Sequence, residues 1–238
     1  MLKATMAGGG AKTWLDEVQA DSPMGLWLMQ ETSGTTLAAT TGNNGTYSAS
    51  DITYAATGPG KLALPKAAQF GGASSGASTA INLGSLTAAT ACFWLYWDSY
   101  AAINLIALQY TTNVDISNGF AYIPQGGSVV GNGAFGLMHK TSPSGYKGRY
   151  GTRLSLSAWH HIALVMDRVA SVCDLYVNGV NLATDFTSGW TPGSNFANAN
   201  LYLMYNSTAA RGAGRMCGLS IHPTALSAVR IAAHFAGV

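Results

Sequence analysis

Apolar and polar residues alternate over short stretches of this chain, and clusters of Gly, Ser, Thr, Asn or Pro separate the stretches. A period of two sends successive side chains to opposite faces of a strand. The pattern therefore predicts strand after strand, at residues 25–30, 67–70, 79–83, 91–97, 104–110, 120–123, 135–139, 159–168, 173–177, 180–184, 201–205 and 215–222. Within 91–97, Ala91, Phe93, Leu95 and Trp97 share one face, while Cys92, Trp94 and Tyr96 share the other. Both faces are apolar, which predicts a central strand or one covered by another element. Asn178-Gly179 sits between two apolar runs, and both residues tolerate the positive φ of a tight hairpin turn. Two places depart from the period. Thr13 reads as the N-cap of a short helix over 14–19, with Asp16 at its third position and Pro23 beyond its end. Ser227 reads as the N-cap of a second short helix reaching Phe235, with Leu226 and Ile231 spaced for a hydrophobic staple.

The pattern ends at the N-terminus. Residues 1–12 hold Lys3, Lys12 and Gly8-Gly9-Gly10 but no acid and few large apolar groups, so they read as a flexible arm ahead of one domain at 13–238. The chain has 238 residues, and 48% of them are hydrophobic, enough for one large β-sandwich core. Only 9% are charged, well below the usual quarter. Either Ser, Thr, Asn and Gly hold the surface, as in virion and secreted β-proteins, or neighbouring subunits cover it, as in a homo-oligomer. A net charge of +2 gives no field to recruit nucleic acid or a membrane. No apolar run approaches the ~18 residues of a membrane span, and the glycines stand where a signal peptide needs its apolar stretch. Cys92, Cys173 and Cys217 are odd in number and lie in apolar runs, which predicts buried, reduced thiols.

The segments Ala158-Trp159-His160-His161 and Leu175-Tyr176-Val177-Asn178-Gly179-Val180 resemble the signature of laminin-G-like jelly rolls in the concanavalin A-like lectin/glucanase superfamily. The resemblance extends over most of the chain. Ala20-Asp21-Ser22-Pro23-Met24-Gly25-Leu26-Trp27 and Glu31-Thr32-Ser33-Gly34 resemble the opening of such domains, particularly copies in phage structural proteins. Thr41 to Tyr47, Ala67 to Gly72, Phe93 to Ser99 and Ala225 to Ala233 follow in the same order, although Arg230 replaces the Glu that often completes the last capping box. The resemblance implies an all-β fold, a two-sheet antiparallel β-sandwich with a short N-terminal and a short C-terminal helix. It does not choose among lectins, glucanases, adhesion modules and virion proteins.

The residues narrow that choice. Glycoside hydrolysis needs two flanking carboxylates, and glucanases of this fold place them along one strand as Glu-x-Asp-x-x-Glu. This chain has two glutamates, Glu17 and Glu31, both N-terminal, and Asp98, Asp167 and Asp174 stand singly. Calcium needs six to eight oxygens. The turn where relatives keep acids reads Phe70-Gly71-Gly72-Ala73-Ser74-Ser75, leaving backbone carbonyls for a weak site at most. Adjacent His160 and His161 face opposite ways on a strand and cannot share a metal. Cys217 and His222 are an odd number apart, which by the same parity separates them. No metal ligand set and no cofactor are expected. Between Asp115 and Asp167 no acid occurs, and a basic, aromatic loop at 139–153 carries Lys140, Tyr146, Lys147, Arg149, Tyr150 and Arg153. Such a loop suits a glycan or an acidic partner, or solvated charges that guard an edge strand. Trp190 is a second aromatic candidate. The expected function is a non-enzymatic structural or decoration protein of a phage virion. Lys3 and Lys12 lie in its attachment arm, other virion proteins are its partners, and host-surface glycans are its ligand. A free-standing, extracellular lectin-type module is the alternative, and a glycoside hydrolase a distant third.

Overall fold

The structure is a computed structural model that describes residues 11–99, 108–110, 118–123, 134–140, 145–152, 154–182, 184–188, 193, 195–205 and 212–237. Among them, in chain order, run α1 (Trp14–Ala20), β1 (Gly25–Trp27), β2 (Thr36–Leu37), β3 (Gly45–Tyr47), β4 (Ile52–Lys61), β5 (Leu64–Gly71) and β6 (Ala77–Asn82). Next come β7 (Ala88–Trp97), β8 (Leu108–Tyr110), β9 (Phe120–Ile123), β10 (Ala134–Lys140), β11 (Tyr146–Thr152) and β12 (Trp159–Asp167). The chain closes with β13 (Val172–Val177), β14 (Val180–Asn181), β15 (Thr184–Ser188), β16 (Asn198–Leu203), β17 (Ala213–His222) and α2 (Ala228–Ala236).

These strands form two antiparallel sheets. Sheet A has the order β14-β13-β12-β7-β17-β5-β4, with β1 also on β17, and sheet B the order β15-β11-β10-β9-β8-β16-β6-β3-β2. Their inner faces share one core, where Phe93 of sheet A meets Tyr122 of sheet B edge-on at 5.6 Å. Strand β7 is central, as its two apolar faces require. Phe93, Leu95 and Trp97 enter the inter-sheet core, whereas Trp94 on the outer face packs against Phe235 of α2. At the predicted hairpin, Asn178 and Gly179 have φ of 51° and 79° and join β13 to β14. The turn is tied down further, since the Asn178 side chain accepts from the His161 amide at 2.9 Å.

Both helices have their predicted caps. Thr13 and Asp16 make a reciprocal capping box on α1. On α2 the Ser227 hydroxyl accepts from the Arg230 amide alone, and Leu226 packs beside Ile231. No described helix is long and apolar enough to cross a membrane.

Several elements differ from the sequence pattern: β2 and β3 are absent from it, β1 stops at Trp27, and three more differ in ways that bear on the site. β4 contains Gly58, Pro59 and Gly60 and is not among the expected strands, yet it pairs with β5 through two register shifts. It tolerates proline because it is the edge of sheet A. The stretch 180–184 is not one strand: β14 belongs to sheet A and β15 to sheet B, so the chain changes sheets between them. Within the basic stretch 139–153, residues 146–152 are not loop but strand β11, which pairs with β10 on one side and β15 on the other, while 141–144 and 153 lie outside the described residues.

Candidate functional site

The inner faces of both sheets are filled, so chemistry must come from outer faces or from polar groups trapped beneath the helices. The antiparallel registers place Thr53, Gln69, Arg215, Tyr96 and Trp159 opposite one another on β4, β5, β17, β7 and β12. Residues directly opposed in a ladder project from the same face. This row therefore crosses five strands on the outer face of sheet A, spanning about 19 Å at ~4.8 Å per strand. Thr53 is exposed, and Gln69, Arg215, Tyr96 and Trp159 are half-buried. Trp159 meets Tyr96 edge-on at 5.6 Å, and the Arg215 guanidinium lies 4.5 Å above the Tyr96 ring. The Arg215 Nε is shielded from water and has no hydrogen-bond partner. Two fixed aromatic rings flanked by a guanidinium and an amide can stack on the apolar face of a sugar and hydrogen-bond its hydroxyls.

The 139–153 residues are placed differently. Lys140 and Tyr146 are paired in the β10–β11 ladder. The Lys147 ammonium donates to the Ser171 carbonyl. Arg149 donates to the Asp174 carboxylate at 2.9 Å and to the Cys173 carbonyl at 3.2 Å, and Tyr150 is half-buried on the same strand. The two cations thus tie β11 of sheet B to β13 of sheet A. Lys3, Arg153 and Trp190 lie outside the described residues, and Lys12 stands 3.8 Å from Glu17.

Most described carboxylates are also committed within the fold. Glu17 and Asp21 both meet Arg230, at 2.9 Å. Glu31 accepts from the Tyr47 hydroxyl and the Ala38 amide, and Asp167 from two amides of the turn that follows it. The turn after Phe70 does receive an acid, but from the residue just before β4: Asp51 accepts the Ala73 and Ser74 amides at 2.9 and 3.2 Å. Sequence spacing around the turn gave no sign of it.

The two adjacent histidines have separate fates. His160 donates from Nε2 to the Ser155 carbonyl at 3.1 Å, and its Nδ1 receives the Asn178 amide at 3.4 Å. His161, on the opposite face, is fully buried against Trp94, and neither ring nitrogen has a partner. Burial, with His234 and Lys61 nearby, pushes its pKa down to about 3 and keeps it neutral. The parity argument for Cys217 and His222 fails. A bulge in β17 between Cys217 and Ser220 shifts the register, so their β7 partners, Trp94 and Thr90, are an even step apart. Those partners remain four residues apart, about 13 Å along a strand, so no thiol–imidazole pair forms. His222 instead bonds Ser220 and the Asp21 carbonyl.

Two antiparallel sheets packed face to face, with a short helix at each end of the chain, form a jelly-roll sandwich. The chain belongs to the Concanavalin A-like lectin/glucanases superfamily, whose laminin-G-like family profile matches residues 70–232. Among solved structures it is similar to domain 4 of the GH43 extracellular arabinanase AbnA from Geobacillus stearothermophilus, in complex with arabinotriose. That likeness has a TM-score of 0.67 and 21% identity and covers 89% of this chain and 97% of that one. It is also similar to the botulinum neurotoxin serotype G binding domain, with a TM-score of 0.65 and 12% identity over 90% of this chain and 50% of that one. Trypanosoma rangeli sialidase with the inhibitor DANA gives 0.60 and 11%, over 89% of this chain and 32% of that one. At these identities the likeness concerns the fold. No curated protein matches the sequence.

Proposed function

We propose that the chain is a non-enzymatic, glycan-binding sandwich displayed on a phage particle. The observation that carries the glycan reading is the Tyr96–Trp159–Arg215–Gln69 row: two half-buried rings held edge-to-face, with the half-buried Arg215 guanidinium lying over Tyr96. Its length of about 19 Å suits an oligosaccharide better than a single sugar. An arabinanase domain in complex with arabinotriose and a neurotoxin binding domain among the structural neighbours support a carbohydrate or receptor ligand. The phage setting rests on the opening segment from Ala20 to Thr36 and on the low charge, which suits a surface partly covered by other virion proteins.

Catalysis is disfavoured by chemistry. Among the described residues, Glu17 and Asp21 are both neutralised by Arg230, which leaves neither as a free acid or base. An array of neutral and acidic oligosaccharides tests the reading directly. Wild type should bind at least one class, and Trp159→Ala, assayed well below its own unfolding midpoint because its packing on the core is also lost, should lose at least tenfold in affinity. Equal binding by the variant removes the row as the site. Sustained release of sugar from any bound oligosaccharide removes the non-enzymatic reading.

A further inference from the structure

Beneath α2, on the helix-covered part of the same outer face, three ligating side chains converge. Cys92 of β7, His161 of β12 and His234 of α2 are each fully buried, and one ligand atom from each lies within 4.8 Å of the others. No other group of three such residues occurs among the described residues.

The hydrogen bonding of this cluster is unfinished in a specific way. The His234 Nε2 donates to the Asp21 carboxylate at 2.8 Å, which leaves Nδ1 as a bare lone pair, and that atom has no partner. Both ring nitrogens of His161 are also unpartnered. A buried polar atom without a partner is destabilising, and here three fall within one cluster. A carboxylate behind an imidazole is the usual way to fix the tautomer of a metal-ligating histidine and raise its basicity. Asp21 is itself held by Arg230 at 2.9 and 3.0 Å, so the orienting carboxylate is rigid.

We propose that Cys92, His161 and His234 form a site for a thiophilic d10 metal ion, Zn2+ or Cu+, that staples α2 to sheet A. One thiolate and two imidazoles match the preference of both ions for sulfur and nitrogen donors. Atoms bound to one such ion stand about 3.3–3.8 Å apart, so entry draws the three side chains inward by up to about 1 Å. Binding replaces the Cys92 thiol proton, which leaves to solvent. The parity that separates His160 from His161 is correct. The second imidazole comes from a helix more than seventy residues later, which strand spacing cannot reveal.

The test loads reduced, chelator-stripped full-length protein with Zn2+ alone or, anaerobically, with Cu+ alone, and measures retained metal after gel filtration. One equivalent of one ion is expected, with Cys92 shielded from alkylation and the thermal midpoint raised about 5–10 °C at a hundredfold excess over Kd. Cys92→Ala should lose the metal, and Cys173→Ala should keep it. A Co2+-loaded wild type should show a thiolate charge-transfer band that Cys92→Ala lacks, a readout that holds even if His161→Gln or His234→Gln fails to fold. Retention of neither ion by wild type, or full retention by Cys92→Ala, overturns the site.

Discussion

The junction of the two helices turns on one carboxylate, and replacing Asp21 by alanine tests that dependence. Asp21 caps the C-terminus of α1, where a negative charge meets the negative end of the helix dipole. It tolerates that position because Arg230 donates to both of its oxygens, at 2.9 and 3.0 Å, and His234 donates at 2.8 Å. Hydrogen bonds to charged groups contribute about 1.5–3 kcal/mol each. The Arg230 side chain is 31% exposed and keeps Glu17, so its share after resolvation is about 1 kcal/mol. The fully buried His234 has no such recourse, and stranding its N–H costs about 2 kcal/mol. Relief of the dipole conflict returns about 0.5 kcal/mol. The net loss is about 2.5 kcal/mol, or about 5–10 °C in Tm for a domain of this size. Urea unfolding with chelator present measures it without any contribution from bound metal. Asp21→Asn should lose about half as much, and a double-mutant cycle with Arg230→Met should give about 1 kcal/mol of coupling. A loss below about 0.5 kcal/mol for Asp21→Ala would refute the reasoning and move the attachment of α2 to its apolar contacts alone.

Three further outcomes are expected. Burial, with His234 and Arg230 adding to it against the pull of Asp21, lowers the His222 pKa to about 4 from 6.5. Its neutral form therefore stabilises the fold fully above pH 6.5. That contribution is lost as pH falls toward 4, by about 2 kcal/mol at pH 5, and His222→Asn should flatten this part of the pH profile of the urea midpoint. Gly179→Ala should cost about 1 kcal/mol in the same assay, because φ of 79° is strained for any side chain while an added Cβ meets ordinary contacts at 3.4 Å or more. Deleting residues 1–12 removes only an exposed ion pair of Lys12 with Glu17 from the described structure. It should leave Tm within about 1 °C and, on the proposed virion reading, abolish incorporation into particles; normal loading would place attachment on the sandwich itself.

What the sequence disclosed was local. The Asn178-Gly179 turn, the Thr13 and Ser227 caps and the two apolar faces of 91–97 each follow from neighbours a few residues apart. What it concealed depends on distant partners. β4 escapes the pattern, because only its edge position excuses Pro59, and β11 looks like a charged loop until Ser171 and Asp174 of the other sheet take up its cations. The bulge in β17 inverts a parity argument through one register shift. Alternation did place Trp94 and Tyr96 on the same face as Cys92. It gave no means of knowing that one ring would be fully covered by α2, the second left half-buried beneath Arg215 and the thiol set beside two imidazoles.

That division is set by where α2 lies. Ile231 clusters with Cys92, Ala163 and Val165, and four residues later Phe235 stacks on Trp94 and His161. The helix thus advances along β7 and β12 by about the rise of one turn and stops at Ala236. Tyr96 and Trp159 stand one ladder step past Trp94 and His161, beyond its reach. Covering them would stabilise the domain by about 1–2 kcal/mol per ring, and one more apolar helical turn is a small change for a sequence to make. An aromatic pair fixed in place yet still partly exposed forgoes some of that stability, as the proposed ligand surface requires. The same helix therefore has two effects on one face: it seals the thiol and imidazoles away from solvent, and by ending where it does it leaves the Tyr96–Trp159 pair only half-buried.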